Sequence, residues 1–205
     1  PVQFHHAPIE DYPGKNINLV NGHLQSWKYF FHRWDEIKPY LTLKDEHYNY
    51  IFSILKYHGV LFDGSQRTCA VHVRRTDYTT ETNLIYHGVM GVDYYEEASR
   101  CLYGTNAPHD VLFVVCGDDL DWARANLRFP NIVFIDGEEN VIDMFIMSVC
   151  DDNIIANSSF GLCSAYFRRL RKHMKKAHRV VSPLKWFNNA PVISKDVHCD
   201  DWIII

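Results

Sequence analysis

The feature that most constrains the fold of this sequence is a regular alternation of short, apolar, β-branched segments with longer segments of helical periodicity over residues 69–182. Such an alternation is typical of strands joined by helices, and the right-handed crossovers that result place the strands parallel in one sheet. We therefore expect an α/β fold, a Rossmann-like parallel sheet flanked by helices. The five predicted strands are residues 69–73, 111–116, 132–135, 153–156 and 179–182, and the four predicted helices between them are residues 93–103, 118–127, 139–150 and 165–177.

Local signals mark the ends of one of these helices and predict another helix upstream. Asp93 and Glu96 have the spacing of a capping box at the start of helix 93–103, and Gly104 is expected to end that helix. Residues 46–57 carry apolar side chains at helical spacing, whereas residues 1–45 show no clean period.

The overall charge argues against one class of partner. The formal net charge is −4, so a global electrostatic attraction to nucleic acid or to an anionic membrane is not expected. The one strongly basic segment is residues 168–176, and its charges interleave with apolar side chains. This interleaving favours a solvated helix face over a nucleic-acid surface.

Cysteine usage and hydropathy bear on the compartment. The six cysteines include no CxxC pair, so a zinc site is not expected, and Cys69, Cys116 and Cys150 lie in apolar segments typical of buried thiols. A reduced, cytoplasmic protein is favoured, and no apolar run is long enough to span a bilayer. Because the chain starts at Pro1 rather than Met, we expect an upstream segment to be missing. Membrane association therefore stays open, and the Golgi lumen is the expected location if a membrane anchor has been removed.

Two adjacent arginines, Arg74 and Arg75, follow the first predicted strand. Ligands of parallel α/β sheets bind beyond the carboxyl ends of the strands, and a guanidinium group matches phosphate oxygens with two parallel hydrogen bonds. The pair therefore suits a diphosphate, with Asp77 available to hold one arginine in place. The alternative is a solvated surface pair that forms an ion pair with Asp77.

The segment after the fourth predicted strand is a second candidate for anion binding. Asn157, Ser158, Ser159 and Phe160 precede a predicted helix, where free backbone N–H groups and the helix dipole favour an anion. The alternative is an ordinary N-cap, a position that serine prefers in any case. The residues alone leave these two interpretations even.

Acidic and histidine side chains supply the remaining candidates. Asp143 has the chemistry to accept two N–H bonds from a guanine edge, but a first-turn aspartate stabilised by the helix dipole is favoured on the residues alone. The acids at residues 118–121 suggest either a divalent-metal site or a helix cap, and the cap is favoured. His72 should share a strand face with Arg74 and is either a ligand-contacting or a structural histidine. The role of His87 is open.

Several ordered blocks of this sequence together resemble the α-1,2-fucosyltransferases, glycosyltransferase family 11. Single blocks of this kind are weak, but the ordered series covers most of residues 22–205 and is highly specific. The blocks are residues 72–78 (HVRRTDY), 87–88 (HG) with 93–95 (DYY), 117–119 (GDD) with Trp122, 142–148 (IDMFIMS) with 154–160 (IIANSSF), and 182–187 (SPLKWF).

The resemblance implies a GT-B-like glycosyltransferase of two facing Rossmann-like halves, of which the N-terminal half is incomplete here. The family's glycine-rich GGLGNQ segment is missing, so residues 1–66 are expected to be a remnant of the N-terminal acceptor-side region and residues 67–205 the GDP-fucose-binding domain. Where the family has FSWWGA, this chain has FGLCSA at residues 160–165, a difference expected to reshape the pocket or alter acceptor choice.

The resemblance also implies an activity: inverting transfer of L-fucose from GDP-fucose to a glycan hydroxyl, expected to be O-2 of a terminal galactose, with no cofactor and no metal ion. The alternative is a module that binds a GDP-sugar or a glycan without transfer. Carried over to this chain, the resemblance places Arg74 on the donor diphosphate with Arg75 in support, Asp143 on guanine, and the 158–160 segment on phosphate or ribose. The candidate general bases are Glu81 and His72. The predicted site residues are thus Arg74, Arg75, His72 and Glu81 for catalysis and Arg74, Arg75, Asp77, Asp143, Asn157, Ser158, Ser159 and Phe160 for donor binding.

Overall fold

Six parallel strands form a single sheet in the computed structural model, which describes residues 25–61, 65–105, 110–169, 177–188 and 196–205. The order across the sheet is β3-β2-β1-β4-β5-β6. This order is that of dinucleotide-binding Rossmann sheets. It confirms the predicted Rossmann-like α/β fold. The strands are β1 (Arg67–Val73), β2 (Val111–Gly117), β3 (Ile132–Phe134), β4 (Asp152–Ile154), β5 (Arg179–Ser182) and β6 (Ile203–Ile204).

Helices connect the strands and cover both faces of the sheet. Short 3₁₀ turns at Trp27–Tyr29, Phe31–Arg33 and Asp77–Thr79 supplement them. The helices are α1 (Trp34–Leu41), α2 (Asp45–Tyr57), α3 (Glu81–Tyr86), α4 (Val92–Tyr103), α5 (Leu120–Asn126), α6 (Asn140–Val149) and α7 (Ser159–Arg168).

The core lies on both sides of the sheet because the central strands are buried on both faces. Along β1, Ala70 packs with α2 and α6 on one face, whereas Val71 packs with α4 and α5 on the other. A third apolar cluster joins α7, β5 and the aromatic segment before α1. Strands buried on both faces are near-continuous apolar runs, which is consistent with the apolar character of predicted strands 69–73 and 111–116.

Several predicted helix starts are shifted. Helix α5 begins at Leu120 rather than at residue 118, and α6 begins at Asn140 rather than at residue 139. Helix α4 begins at Val92, one residue earlier than predicted, and its N-cap is Gly91. Asp93 therefore lies in the first turn instead of at the N-cap, and it forms no capping box with Glu96. Gly104 ends this helix as predicted, with φ of 80°. Helix α7 begins at Ser159 rather than at residue 165. The sequence pattern missed its first turns because their small and polar residues hide the helical period. The remainder of the predicted helix, residues 170–176, lies outside the described residues.

The first charge of the basic segment is not on a solvated face, contrary to expectation. Arg168 is only 4% exposed, and its nearest carboxylate oxygen belongs to Asp151, 3.9 Å away. Arg169 is exposed and pairs with Asp201 at 2.6 Å. The α7 helix buries the face that carries Arg168 against the sheet, which the alternation of charges alone did not reveal.

Helix α2 packs directly on the sheet, with Ile51 and Leu55 in the same core cluster as Ala70. The proposed boundary at residue 66, and the second half of a GT-B architecture, remain predictions. Among the described residues, no helix is long and apolar enough to cross a membrane.

Candidate functional site

A cavity of about 240 Å³ lies where the strand order reverses. Strands β1 and β4 are neighbours there, with Val71 paired to Ile154, while the chain continues outward to β2 on one side and β5 on the other. This reversal is the point at which open α/β sheets bind their ligands. Six of the predicted site residues line the cavity: His72, Arg74, Asp143, Ser158, Ser159 and Phe160.

Arg74 directs its guanidinium group along the cavity wall. Its Nη1 donates to a carboxylate oxygen of Asp118 at 2.7 Å, and its Nη2 pairs with Asp77. The flat face of the group lies over the ring of Tyr78, with 5.0 Å from the guanidinium carbon to the ring centroid. Carboxylates on two edges and an aromatic ring on one face thus fix Arg74, while its side chain stays 30% exposed to a ligand.

Arg75 does not line the cavity. Its guanidinium carbon lies 4.0 Å from the centroid of Trp122, its Nη1 donates to the carbonyl oxygen of Met90 at 3.3 Å, and its Nε is 3.4 Å from Asp119. Successive side chains in an extended segment point to opposite sides, so the two arginines separate at the end of β1. The structure therefore brings one arginine to the cavity rather than two.

Asp143 lies in the first turns of α6 and is 9% exposed. Burial, together with the nearby Glu138 and Asp136, raises the pKa of its carboxyl to about 7. Its Oδ1 is buried and accepts no hydrogen bond from the described part of the chain. A buried carboxylate oxygen without a donor costs free energy, so this atom is suited to receive N–H groups from a ligand.

The N-terminus of α7 contributes Ser158, Ser159 and Phe160 to the cavity wall. The Ser158 hydroxyl accepts from the backbone N–H of Phe160 at 3.3 Å, so this serine is an N-cap and also lines the cavity. The N-cap interpretation is therefore confirmed, and anion binding by the same segment stays a prediction. The first turn of a ten-residue helix, with its unpaired N–H groups and positive dipole end, faces the space beside Arg74.

His72 is a buried histidine, 3% exposed, at the carboxyl end of β1. Burial lowers the pKa of its imidazole to about 4, so it is neutral at pH 7. Its ring centroid lies 5.4 Å from that of Phe160, and its Nδ1 has no hydrogen-bond partner within the described residues. The predicted sharing of one face with Arg74 is confirmed, since both line the cavity.

Besides Arg75, three further predicted site residues lie off the cavity lining. Glu81 is exposed at the start of α3, and Asp77 is half exposed and pairs with Arg74. Asn157 is buried, and its amide nitrogen donates to the carbonyl oxygens of His87 at 2.8 Å and Trp186 at 3.2 Å. Through these hydrogen bonds, Asn157 connects the segment that follows β1 with the segment that follows β5.

His87 belongs to an aromatic stack behind Arg74. Its ring lies parallel to that of Tyr78, with 4.4 Å between centroids, and Phe187 lies 5.7 Å beyond it. The Tyr78 hydroxyl donates to the backbone carbonyl of Asn157 at 3.3 Å. The stack therefore supports the face of Arg74 that lies away from the cavity.

Three lining residues were not among the predicted site residues: Gly117, Asp118 and Asn140. Asp118 was expected to share in a helix cap, but Asp119 alone caps α5, accepting from the backbone N–H of Trp122 at 3.0 Å. Strand β2 ends at Gly117, directly before Asp118, and that position was the available signal. Within the described ranges, no group of three or more His, Cys, Asp or Glu side chains is arranged to hold a metal ion.

Comparisons with known proteins place this chain in a family. The chain is 33% identical over 169 residues to the O-antigen biosynthesis glycosyltransferase WbnK of Escherichia coli, covering 79% of this chain and 53% of that protein. It is 27% identical over 165 residues to the galactoside 2-alpha-L-fucosyltransferase SEC1 of Bos taurus, covering 75% and 43%. The chain thus spans about half the length of the curated relatives it matches.

A solved structure, the NodZ alpha-1,6-fucosyltransferase soaked with GDP-fucose, is a weaker likeness, with a TM-score of 0.40 and 20% identity over 63% of this chain and 42% of that one. The model of Glycosyl transferase family 11 matches residues 4–195, nearly the whole chain. The chain therefore belongs to glycosyl transferase family 11.

Proposed function

We propose that this chain forms the donor-binding half of a fucosyltransferase that moves L-fucose from GDP-fucose to a glycan hydroxyl, O-2 of a terminal galactose, with inversion. Family membership and relatives named as galactoside fucosyltransferases support the reaction class. The observation that carries the proposal is the meeting of Arg74 with the N-terminus of α7 in one cavity at the switch point of the sheet.

Each part of the donor finds a chemically suited group around this cavity. Arg74 and the free N–H groups at the start of α7 would bind the diphosphate, since a guanidinium fork and a helix N-terminus both favour phosphate oxygens. The buried, unpaired Oδ1 of Asp143 would accept an N–H group from the guanine edge. Phe160 and Ser159 line the space between these two contacts and would meet the ribose.

Transfer would proceed as a single displacement at the anomeric carbon. The acceptor oxygen forms a bond to C1 of fucose while the bond from C1 to the β-phosphate oxygen breaks, and the electron pair leaves with GDP. Arg74 and the α7 N-terminus would stabilise the negative charge that develops on the leaving phosphate. This arrangement requires no metal ion or cofactor.

The acceptor proton needs a base, and His72 is better placed than Glu81. His72 lines the cavity and is neutral at pH 7, whereas Glu81 is exposed and off the lining. The burial that keeps His72 neutral also makes it a weak base. Positioning of the acceptor would therefore carry a large share of the rate acceleration.

The test is transfer by the full chain and by Arg74→Ala, with GDP-fucose and a panel of glycans and with the new linkage located by NMR. We expect Arg74→Ala to lower transfer by about 10²-fold or more, because it removes the charged donor to the leaving group. Its thermal unfolding should be unchanged. The matched control is Arg124→Ala, which removes an exposed arginine paired with Asp136 on the surface. Retained activity in Arg74→Ala would remove this residue from the phosphate site.

One observation favours a second candidate, a GDP-sugar-binding module without transfer activity. Of the two candidate bases, Glu81 lies off the cavity and His72 has a pKa of about 4. A chain that binds GDP in calorimetry but neither transfers fucose nor hydrolyses GDP-fucose would support this candidate over the transferase.

A further inference from the structure

Asp118 gathers the segment that follows β1. Its Oδ2 accepts hydrogen bonds from Nη1 of Arg74 at 2.7 Å and from the hydroxyl of Thr76 at 2.6 Å. Its Oδ1 accepts from the backbone N–H of Arg75 at 2.7 Å. A single carboxylate directly after β2 therefore fixes both the side chain of Arg74 and the backbone of the next residue, Arg75.

The close approach of β2 to β1 makes this reach possible. A Cβ atom on Gly117 would lie 2.1 Å from the carbonyl oxygen of Val73, a contact that only glycine avoids. The same carbonyl accepts from the backbone N–H of Asp118 at 3.2 Å. The end of β2 is thereby anchored on the end of β1, one residue away from Arg74.

The position of Asp118 is electrostatically costly for an anionic ligand. Arg74 is the only cationic side chain among the described residues that line the cavity, and Asp118 places a negative charge in the same lining. A carboxylate there would repel a diphosphate unless its effect on the orientation of Arg74 outweighs the repulsion. Removing the charge would strengthen diphosphate binding if repulsion dominates and weaken it if the orientation of Arg74 dominates. The direction of the change in affinity therefore shows which effect is larger.

Building on the proposed function, we propose that Asp118 is a positioning residue that holds Arg74 in the orientation that grips the donor diphosphate. Asp119, its neighbour, caps α5 instead and has no contact with Arg74 among those observed. Of these two adjacent acids, Asp119 therefore caps a helix, whereas Asp118 contacts the binding site.

The experiment compares GDP and guanosine binding to the full chain and to Asp118→Asn by calorimetry and competition. We expect Asp118→Asn to weaken GDP binding by about tenfold or more while guanosine binding stays the same, because the carboxylate acts only through the phosphate-binding arginine. Thr76→Val, an exposed change that removes a second hydrogen bond to the same oxygen, should weaken GDP binding about threefold. Asp201→Asn, which removes an exposed carboxylate paired with Arg169, is the charge-matched control and should change neither affinity.

Unchanged or tighter GDP binding in Asp118→Asn would overturn the positioning role, and so would an equal loss of GDP and guanosine binding. Should Asp118→Asn not fold, an unchanged GDP affinity in Thr76→Val would overturn it. A wild-type chain that binds GDP no better than guanosine would instead contradict the phosphate site of the proposed function.

Discussion

Asp143 is a carboxyl group whose environment opposes its charge. Burial and two acidic neighbours raise its pKa to about 7, and its Oδ1 has no donor in the described structure. A guanine edge supplies N–H donors, which both oxygens of the carboxylate can accept, whereas the protonated acid turns one oxygen into a hydroxyl donor and accepts less strongly. Binding of the base would therefore favour loss of the proton from Asp143.

GDP binding should consequently depend on pH. Below pH 7 the free site must lose a proton before the base binds, so we expect GDP affinity to fall by up to tenfold for each pH unit between about 6.5 and 5.5, and to be flat above about 8. The measurement is calorimetric titration with GDP across this range in buffers of different ionisation enthalpy. Asp143→Asn should bind more weakly and keep only the pH dependence of the terminal phosphate of GDP, whose second pKa is about 6. A wild-type affinity that is flat from pH 5.5 to 8 would contradict the assignment to guanine.

The residues of the site were predictable to different degrees. Arg74 and Ser158 were correctly placed at the carboxyl ends of two strands, because that placement needs only the strand boundaries. That the two strands are neighbours came from the structure. Arg75 has the same chemistry as its neighbour, and only the side of the chain to which it points separates them. Asp118 contacts Arg74, which lies 44 positions earlier in the sequence, and no local sequence pattern predicts such a contact.

At the scale of the secondary-structure elements, the two edges of the sheet carry different charge arrangements. The edge opposite the cavity centres on Asp152, which has no exposed side-chain surface and accepts from Arg67, Arg179 and Tyr103 at 2.6 to 2.9 Å. Burial alone would favour the protonated acid, but these hydrogen bonds lower the pKa of Asp152 to about 2. This carboxylate ties β4 to β1, β5 and α4.

Replacing Asp152 by Asn should therefore affect folding rather than binding. The change leaves two arginines facing a neutral amide in a partly buried site, and we expect a loss of about 3–5 kcal/mol in the free energy of unfolding. GDP affinity, measured where the variant is still folded, should be unchanged, because the cavity lies at the other edge of the sheet. Asp136→Asn, at an exposed ion pair, should cost less than about 1 kcal/mol in urea unfolding. A stable Asp152→Asn variant would show that the cluster contributes little.

The elements that the sequence predicted are those with a clear period or a buried run. Five strands and the helix before Gly104 were recovered within a few residues, whereas β6 (two residues) and α3 (six residues) are too short to show a period. Helix α1 contains Pro39 within its last turns, a residue that argues against a helix in a purely local view. These elements form because tertiary contacts hold them.

For the whole molecule, the strand order lay beyond the sequence alone. Alternating strands and helices predict a parallel sheet, but they do not say that β4 pairs with β1 rather than with β3. That pairing depends on the crossover helix α6 packing on the face already covered by α2, where Ile146 and Met147 join Ile51 in one cluster. The cavity exists because of this crossover, so fold and site share one physical origin.

The buried histidines should make the folded chain sensitive to acid. Burial lowers the pKa of His72 to about 4, of His178 to about 3 and of His198 to about 4. Because these folded-state pKa values lie below the usual value near 6.5, these three histidines together bind about three more protons in the unfolded chain than in the folded one near pH 5, and their contribution to stability falls as the pH falls. Asp143 opposes them, since its raised pKa lets the folded chain hold one proton that the unfolded chain releases above about pH 4.

The difference of two protons predicts that the free energy of unfolding falls by about 3 kcal/mol per pH unit between pH 6 and 4.5. Urea unfolding followed by circular dichroism at intervals of half a pH unit measures this slope. Asp143→Asn removes the carboxyl group that holds a proton in the folded chain, so it should steepen the slope by about half. His198→Asn removes one of the three histidines that take up a proton on unfolding, so it should make the slope shallower by about half. Equal slopes in the wild type and both variants would show that these buried groups do not titrate between the folded and unfolded chains. Opposite shifts in the two variants would tie the acid sensitivity of the whole molecule to the same carboxyl group that faces the proposed guanine site.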